Sequence, residues 1–252
     1  MISSINSINF NNKIIFANKL IVNIIKIINK SCNNTIMLKK FYNEDSEIIE
    51  VGIDEAGRGP MFGRVYAAAV ILPKDDSFDH SLMKDSKRFH SHKKITEVYE
   101  YIKKNALDYR VCFADENTID EINIRQATLN TMTQCVKTLN IKPNFLLVDG
   151  NDYPPYLTLS KDGEWEETPH VCIKGGDNAY TSIAAASILA KVERDNYIEK
   201  LCDEHPELDE HYNIRKNKGY GTKHHMEGIK KYGLTKWHRK TFGICRSSSV
   251  KK

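Results

Sequence analysis

Two apolar runs of the chain each end in carboxylates. Residues 48–53 lead into Asp54 and Glu55, and residues 145–148 lead into Asp149. Short runs rich in Val, Ile and Leu are typical of buried β-strands. Because ligands of open α/β sheets bind at the carboxyl ends of strands, these acids would face one crevice if the two strands are neighbours.

The remaining hydrophobic pattern alternates between strand and helix signals. Helical spacing of Ile124, Ala127, Leu129, Met132 and Val136 predicts a helix whose apolar face packs on the core. Pro154-Pro155 and the later Asp162-Gly163 are turn signals, so residues 151–169 are interpreted as a surface loop. Further strands are predicted over residues 65–72, 108–114 and 171–173, and helices over 91–105, 123–139 and 179–202.

The turn after the first strand has its own chemistry. Asp54 and Glu55 repel each other, by about 4 kcal/mol at ~4 Å and an effective dielectric constant of ~20, and this pair suits a divalent cation. Gly57 and Gly59 allow close backbone approach to a ligand, and Arg58 between them is a fork-shaped donor. A metal beside such an arginine suggests phosphodiester chemistry. The alternative is an ordinary solvated turn.

Three further acids have competing interpretations. Asp149 is followed by glycine, which is also a common turn pair, and Asp177 follows two glycines just before a predicted helix, where it could be an N-cap. Asp195, inside that helix, is interpreted as structural but remains a rival to Asp177.

Composition favours one substantial core with appendages. The chain has 252 residues, 40% of them hydrophobic. The six cysteines form no Cys-x-x-Cys pair, which argues against a zinc ribbon or a thioredoxin-type site. No Gly-x-Gly-x-x-Gly follows a strand in the context of a dinucleotide site.

The net charge of +4 is unevenly distributed. Residues 212–252 hold 12 basic residues and one acidic residue, Glu227, which suits contact with a polyanion, although a solvated basic tail is the alternative. Residues 1–43 hold six lysines and no acid, with an amphipathic pattern over 13–30. This segment could be a targeting peptide, a membrane-surface or partner helix, a disordered leader, or precede a true start at Met37. It has no apolar run of the ~18 residues that a membrane span needs.

Several motifs together resemble one family. Asp54-Glu55-Ala56-Gly57-Arg58-Gly59-Pro60, Val148-Asp149-Gly150, residues 184–192 and Gly219-Tyr220-Gly221-Thr222 closely resemble ribonuclease HII, the type 2 ribonuclease H family. The resemblance extends to about Phe242, and Gly-Arg-Gly favours ribonuclease HII over ribonuclease HIII. Arg64, where the bacterial pattern usually has proline, and the second glycine before Asp177 depart from the family pattern.

The resemblance implies a ribonuclease H-like mixed α/β sheet flanked by helices, with a helical, basic C-terminal extension. It also implies three parts: an N-terminal extension over 1–46, a catalytic domain over 47–210 and a substrate-binding segment over 211–252. We expect a monomer without a stable membrane span. We expect it in the cytoplasm, or in an organelle if residues 1–43 are a targeting signal.

The same resemblance implies the chemistry. Two Mg²⁺ or Mn²⁺ ions would be held by Asp54, Glu55, Asp149 and Asp177. The enzyme would cleave the RNA strand of RNA/DNA hybrids and incise 5′ of single ribonucleotides in duplex DNA, leaving 5′-phosphate and 3′-hydroxyl ends, in ribonucleotide and RNA-primer removal during replication and repair. Substrate contacts would come from Gly57, Arg58, Gly59, Lys87 and Tyr220. A catalytically inactive hybrid-binding module and a structure-selective DNA nuclease are the rival classes.

Overall fold

The computed structural model describes residues 37–89, 91–160 and 162–249. The chain from Leu38 onwards forms one compact unit. The amphipathic pattern over residues 13–30 lies outside the described residues. The proposed boundaries between extension, catalytic domain and substrate-binding segment therefore stay predictions.

A five-stranded mixed sheet lies at the centre, and its topology brings the two acid-bearing strands together. Its strands have the order β3-β2-β1-β4-β7; β1 pairs antiparallel with β2 and β2 with β3, whereas β1, β4 and β7 run parallel. A separate pair, β5 and β6, forms an antiparallel hairpin. The strands are β1 (Glu50–Ala56), β2 (Val65–Ile71), β3 (Asp108–Ala114), β4 (Phe145–Asp149), β5 (Tyr156–Leu159), β6 (Trp165–Thr168) and β7 (His170–Ile173).

Helices cover both faces of the sheet, which confirms the predicted fold class. The third helix, α3, packs on one face against residues of β1, β2 and β4, and α1 and α4 pack on the other face against β2. The described α-helices are α1 (His92–Asn105), α2 (Glu116–Ile122), α3 (Ile124–Lys137), α4 (Thr181–Glu204), α5 (Glu207–Tyr212), α6 (Ile214–Asn217) and α7 (Lys223–Tyr232).

The long helix α4 lies unusually close to β1. A Cβ atom on Gly52 would lie 2.1 Å from the carbonyl carbon of Ser182, so only glycine fits at this crossing. The next turn of the helix is formed by Ala184, Ala185 and Ala186, all fully buried. These small side chains let the start of the helix rest on the strand that carries Asp54 and Glu55.

The C-terminal segment packs against the end of α4. Its core includes Leu208, Tyr212, Ile214 and Ile229, together with Phe62 from the chain between β1 and β2. An isolated antiparallel bridge joins Phe62 to His238. This segment is thus attached directly to the loop that follows the two acids.

Two sequence predictions need correction, and one helix is missing from the predictions. Residues 151–169 contain the β5–β6 hairpin instead of a loop, because alternating side chains over 156–159 and 165–168 pair across the strands. The helix α2 was not predicted. Strand β1 begins at Glu50 and continues to Ala56, so Asp54 and Glu55 lie within the strand and not beyond its end.

Candidate active site

Asp54 and Asp149 occupy neighbouring positions at the carboxyl ends of β1 and β4. Ile53 is in register with Val148, so the following residue of each strand is an aspartate on the same edge. Asp54 is only 4% exposed, and its Oδ1 accepts the backbone N–H of Glu55 at 2.7 Å. The predicted convergence of the two strand ends is therefore present in the structure.

These acids are buried away from water, and their negative charges lie close together. Burial raises the pKa of Asp54 well above its usual range, and the charges of Glu55 and Asp149 raise it further. Burial also raises the pKa of Glu55, against the opposing effect of Arg58, whose Nη1 lies 3.3 Å from Glu55 Oε1. Excess negative charge of this kind is relieved by a bound cation or by protonation.

Asp177 joins this group from the other side. It lies in a short 3-10 turn, Gly176–Asn178, and is 4% exposed. Burial raises its pKa first, followed by the charges of Asp85 and Asp149, while Lys87, with its Nζ 3.8 Å from Asp177 Oδ2, opposes the shift. The N-cap of α4 is Tyr180, so Asp177 does not have the capping role that its sequence position also allowed.

The turn that carries Asp177 is tied to Asp149. The backbone N–H of Gly176 donates to Asp149 Oδ1 at 2.6 Å. A Cβ on Gly176 would lie 2.5 Å from the end of the Ile183 side chain, so the second glycine lets the turn pack under the helix. The Gly176 N–H thus holds the turn that carries Asp177 against Asp149.

The rival acid Asp195 has a different environment. Its Oδ2 lies 2.5 Å from Lys191 Nζ, one turn earlier on α4, and both residues line the wall of the same cavity. Asp177, in contrast, follows Gly176, whose backbone N–H is bonded to Asp149 Oδ1. Asp177 therefore stays our prediction for the fourth acid.

A cavity of about 530 Å³ joins most of the predicted site. Its wall includes the ring of Tyr220, which is 52% exposed and lies 3.3 Å from where a Cβ on Gly59 would be. Asp177 is next to this cavity through its contact with Lys87. The predicted site residues that line it are Asp54, Glu55, Gly57, Arg58, Gly59, Lys87, Asp149 and Tyr220.

The structure adds residues that the sequence interpretation missed. Ser187 on α4 hydrogen-bonds Asp54 and lies 3.0 Å from Ser86, Oγ to Oγ. The cavity wall also includes Lys216, which is exposed. Ser86 directly precedes the predicted site residue Lys87, but nothing in the linear pattern pairs it with a serine of α4.

The sequence predicts that the basic residues of the C-terminal segment contact a polyanion, but two of its arginines have other partners. Arg239 is fully buried, and its guanidinium donates to backbone carbonyls around the glycine turn. Arg215 is engaged by Glu199, Asp203 and Asp209. Neither guanidinium is available to a polyanion in this arrangement.

The residues present fit a hard divalent cation in their chemistry. Carboxylate oxygens are ligands that Mg²⁺ and Mn²⁺ prefer. A bound cation would also relieve the burial and the repulsion between acids that raise the pKa values of Asp54, Glu55 and Asp177. Within residues 37–89, 91–160 and 162–249, no group of three or more His, Cys, Asp and Glu side chains has the arrangement of a formed metal site. The fit therefore rests on donor chemistry and charge.

Comparison with known proteins decides the family. The family model for ribonuclease HII matches residues 51–245. The chain belongs to the ribonuclease HII family. It is 44% identical to ribonuclease HII of Bacteroides thetaiotaomicron over 208 residues, which cover 82% of this chain and 95% of that protein. The resemblance to ribonuclease HII that the sequence motifs indicate is confirmed.

Solved structures agree with the fold. The ribonuclease H2 of Pyrococcus horikoshii OT3 superposes with a TM-score of 0.64 at 27% identity, covering 79% of this chain and 96% of that chain. Bst-RNase HIII in complex with Mn²⁺ superposes with a TM-score of 0.50 at 17% identity, covering 73% of this chain and 70% of that chain. The latter likeness concerns the fold alone.

Family membership establishes the reaction class. The protein is an endoribonuclease, a hydrolase with ribonuclease H activity on RNA/DNA hybrids. The prediction of an enzyme is confirmed, and the hybrid-binding module without catalysis is set aside. Among the helices of the described residues, none is both long and apolar enough to cross a membrane.

Proposed function

We propose that the enzyme uses divalent metal ions and incises 5′ of single ribonucleotides embedded in duplex DNA, in addition to cutting hybrids, leaving 5′-phosphate and 3′-hydroxyl ends. The observation that carries this proposal is the cavity itself. Buried carboxylates, a glycine turn and an exposed tyrosine ring line one space of about 530 Å³. A single nucleotide step could contact all three at once.

The acids would hold the metal. Asp54, Glu55, Asp149 and Asp177 supply oxygen ligands from two strand ends and one turn. Bst-RNase HIII, which shares the fold, has been crystallised in complex with Mn²⁺. A pair of Mg²⁺ or Mn²⁺ ions, when bound, supplies an activated water and stabilises the leaving 3′ oxygen.

Lys87 is placed to contact a phosphate of the cleaved strand. Its side chain is largely exposed, and its ammonium group lies beside Asp177. Burial acts to lower the pKa of Lys87, but the charges of Asp177, Asp85 and other nearby acids together raise it, so the group keeps its charge at neutral pH. A phosphate arriving at the carboxylates would find this cation already in position.

The glycine turn would recognise the 2′-hydroxyl, the group that distinguishes RNA from DNA. The carbonyl oxygens of Gly57 and Arg58 accept hydrogen bonds from Arg239 at 2.6 and 3.0 Å. What the turn can offer to a ribose is therefore chiefly its N–H groups. The ring of Tyr220, which lies beside Gly59, would pack on the next deoxyribose and disfavour a second 2′-hydroxyl, so that a ribo-to-deoxyribo junction is recognised.

This activity would suit removal of ribonucleotides and RNA primers during DNA replication and repair. We infer that the enzyme acts there as a monomer in the cytoplasm, unless residues 1–43 direct it to an organelle.

The test is cleavage of a labelled DNA duplex that carries one ribonucleotide, with Mg²⁺, with Mn²⁺ or with chelator. We expect one metal-dependent cut on the 5′ side of the ribonucleotide, and 5′-phosphate and 3′-hydroxyl ends. An all-DNA duplex and a branched all-DNA substrate are the controls. Cutting of the branched DNA would favour a structure-selective nuclease. Cleavage of long hybrids alone would contradict the proposed recognition of a ribo-to-deoxyribo junction.

A further inference from the structure

Three chain segments meet directly behind the cavity. They are the 57–63 segment after β1, the 217–222 turn that carries Tyr220, and the 235–239 segment near the C-terminus. The N–H of Met61 donates to Gly219 O at 2.9 Å, and the N–H of Gly63 donates to Trp237 O at 2.9 Å. The N–H of Arg239 donates back to Met61 O at 2.8 Å. The 57–63 segment therefore lies between the other two.

Arg239 fixes the shape of the 57–63 segment. Its guanidinium is fully buried and donates to the carbonyl oxygens of Gly57 (2.6 Å), Arg58 (3.0 Å), Pro60 (2.7 Å) and Gly63 (2.8 Å). Four carbonyls from one short segment are thus held by a single planar fork. A lysine could not reproduce this, because its ammonium is a point donor with three protons.

A histidine pair fixes the turn that carries Tyr220. His225 and His238 are buried, with their Nε2 atoms 3.0 Å apart, and His225 Nδ1 lies 2.9 Å from Tyr220 O. The backbone N–H of Thr235 donates to His238 Nδ1 at 2.9 Å. Phe62 contacts both imidazole rings edge-on.

These contacts define the protonation of both rings. Because His238 Nδ1 accepts a hydrogen bond, the proton of the neutral ring is on Nε2, which donates to His225 Nε2. His225 then carries its proton on Nδ1 and donates it to the Tyr220 carbonyl. Burial lowers the pKa of His238 to about 3 and lowers that of His225, which agrees with two neutral rings.

We propose that His225, His238 and Arg239 are positioning residues that hold Tyr220 at a fixed separation from the 57–59 turn, and that this separation sets the enzyme's preference for a ribo-to-deoxyribo junction. The inference rests on the proposed function, since it concerns how the junction is recognised. His238 and Arg239 are consecutive, so one short stretch supports both walls of the cavity.

Cleavage of single-ribonucleotide substrates should depend more strongly on this separation than cleavage of continuous RNA strands does. A junction must contact the 57–59 turn with its ribose and Tyr220 with the next sugar in one register. A continuous RNA strand offers many successive registers, so it tolerates a shifted wall better. Displacements of about 1 Å can cost roughly a hundredfold in rate when two contacts must be made together.

Two variants of His238 separate positioning from packing. Asn would place a polar atom near the Nδ1 position, where it still reaches Thr235, but it cannot reach His225. Gln would extend an amide nitrogen towards the Nε2 position and could donate to His225. We expect His238→Asn to lower the ratio of single-ribonucleotide cleavage to hybrid cleavage by roughly tenfold or more, and His238→Gln to recover most of that ratio.

Arg239→Lys is the second, independent variant, and His224→Ala is the matched control. His224 is exposed on the same helix, beside His225. We expect Arg239→Lys to lower the same ratio and His224→Ala to leave it unchanged. Thermal melting of each variant checks that the folded protein is being compared.

A double-mutant cycle with Tyr220→Ala is the decisive step. If His238 acts through Tyr220, His238→Asn has no further effect on the ratio once the ring is absent. Independent, multiplicative effects overturn the proposal, and so does an equal loss on both substrates in His238→Asn and Arg239→Lys. A wild-type enzyme without any junction preference would instead overturn the proposed function, and this inference with it.

Discussion

Asp54 shows how the fold concentrates unfavourable charge at the site. It is buried, lies beside Glu55 and Asp149, and has a hydrogen bond from Ser187 as partial compensation. The same features that raise its pKa make it a strong ligand for a cation. Under the proposed metal binding, a cation held here would relieve this crowded charge.

Asp54→Asn should stabilise the metal-free protein while abolishing cleavage. Because folding raises the pKa of Asp54, the folded state binds more protons than the unfolded state between the two pKa values, and the free energy of unfolding falls as pH rises through that interval. We therefore expect Asp54→Asn to raise the free energy of unfolding at pH 7.5 in chelator, because the amide removes the buried charge.

Denaturant unfolding at pH 7.5 and at pH 4 measures this gain. We expect the difference between Asp54→Asn and the wild type to shrink at the lower pH, where the wild-type carboxyl takes up its proton. Asp162→Asn, an exposed acid in the hairpin turn, serves as the control. A metal-free Asp54→Asn protein that is less stable than the wild type at pH 7.5 would contradict this account.

Individual residues differ in how far the sequence predicts their place. Asp54, Glu55 and Asp149 could be predicted to converge because each ends an apolar run, and strand ends meet at one sheet edge. Arg239 could not, because a basic segment resembles a phosphate-binding surface until the fold buries one of its guanidinium groups. The His225–His238 pair likewise depends on a contact between residues 13 apart, which no local pattern indicates.

Among the elements, the β1–α4 contact is the one on which the site depends. Helix α4 carries Ser187 and follows the Asp177 turn, and β1 carries Asp54. Their close approach is possible only because Gly52 has no side chain. A shift of the helix would move two parts of the site together.

Gly52→Ala should therefore destabilise the fold and impair the site. The added methyl would lie 2.1 and 2.4 Å from backbone atoms of Ser182 and Ile183, which cannot move aside without shifting the helix. We expect a loss of about 1–3 kcal/mol in the free energy of unfolding. The control is Gly221→Ala, whose methyl would meet only the flexible end of Met61 at 3.1 Å. Equal stability of the two variants in urea unfolding would count against this close packing.

Element prediction from the sequence was accurate where local and tertiary signals agree. Strand β3 and helix α1 match their predicted limits to within one residue. The β5–β6 hairpin was missed because its prolines and acids favoured a loop, while its strand pattern exposes Leu157, Leu159 and Trp165. Helix α2 was missed because seven residues give too little periodicity to recognise.

Over the whole molecule, the distribution of charge limits which basic residues could contact a polyanionic substrate. Arg239 is buried, and Arg215 and Lys218 are paired with acidic side chains, so fewer cations face a polyanion than composition alone indicates. Lys216 is exposed on the cavity wall and is a candidate phosphate contact, whereas Lys218 there is paired with Glu199.

Lys216→Gln should reduce the salt dependence of hybrid binding. Each neutralised phosphate contributes about −0.9 to the slope of log K against log salt concentration for duplex DNA. We expect the slope to become shallower by about one unit, measured by fluorescence anisotropy over a range of KCl concentrations with chelator present. Lys230→Gln, exposed on α7 away from the cavity, should leave the slope as it is. An unchanged slope in Lys216→Gln would exclude a phosphate contact at that residue.

The most direct measurement is the cleavage rate of the single-ribonucleotide duplex by a set of isosteric acid variants in saturating Mg²⁺ and Mn²⁺. We predict that Asp54→Asn, Glu55→Gln, Asp149→Asn and Asp177→Asn each lose roughly a hundredfold or more in rate. The native Asp195 is paired with Lys191, so we expect the rate of Asp195→Asn to stay within a few fold of the wild type. If Asp177→Asn were active and Asp195→Asn inactive, the fourth ligand would be Asp195 on α4. Full activity in any of the other three would contradict the assignment of these carboxylates to the metal.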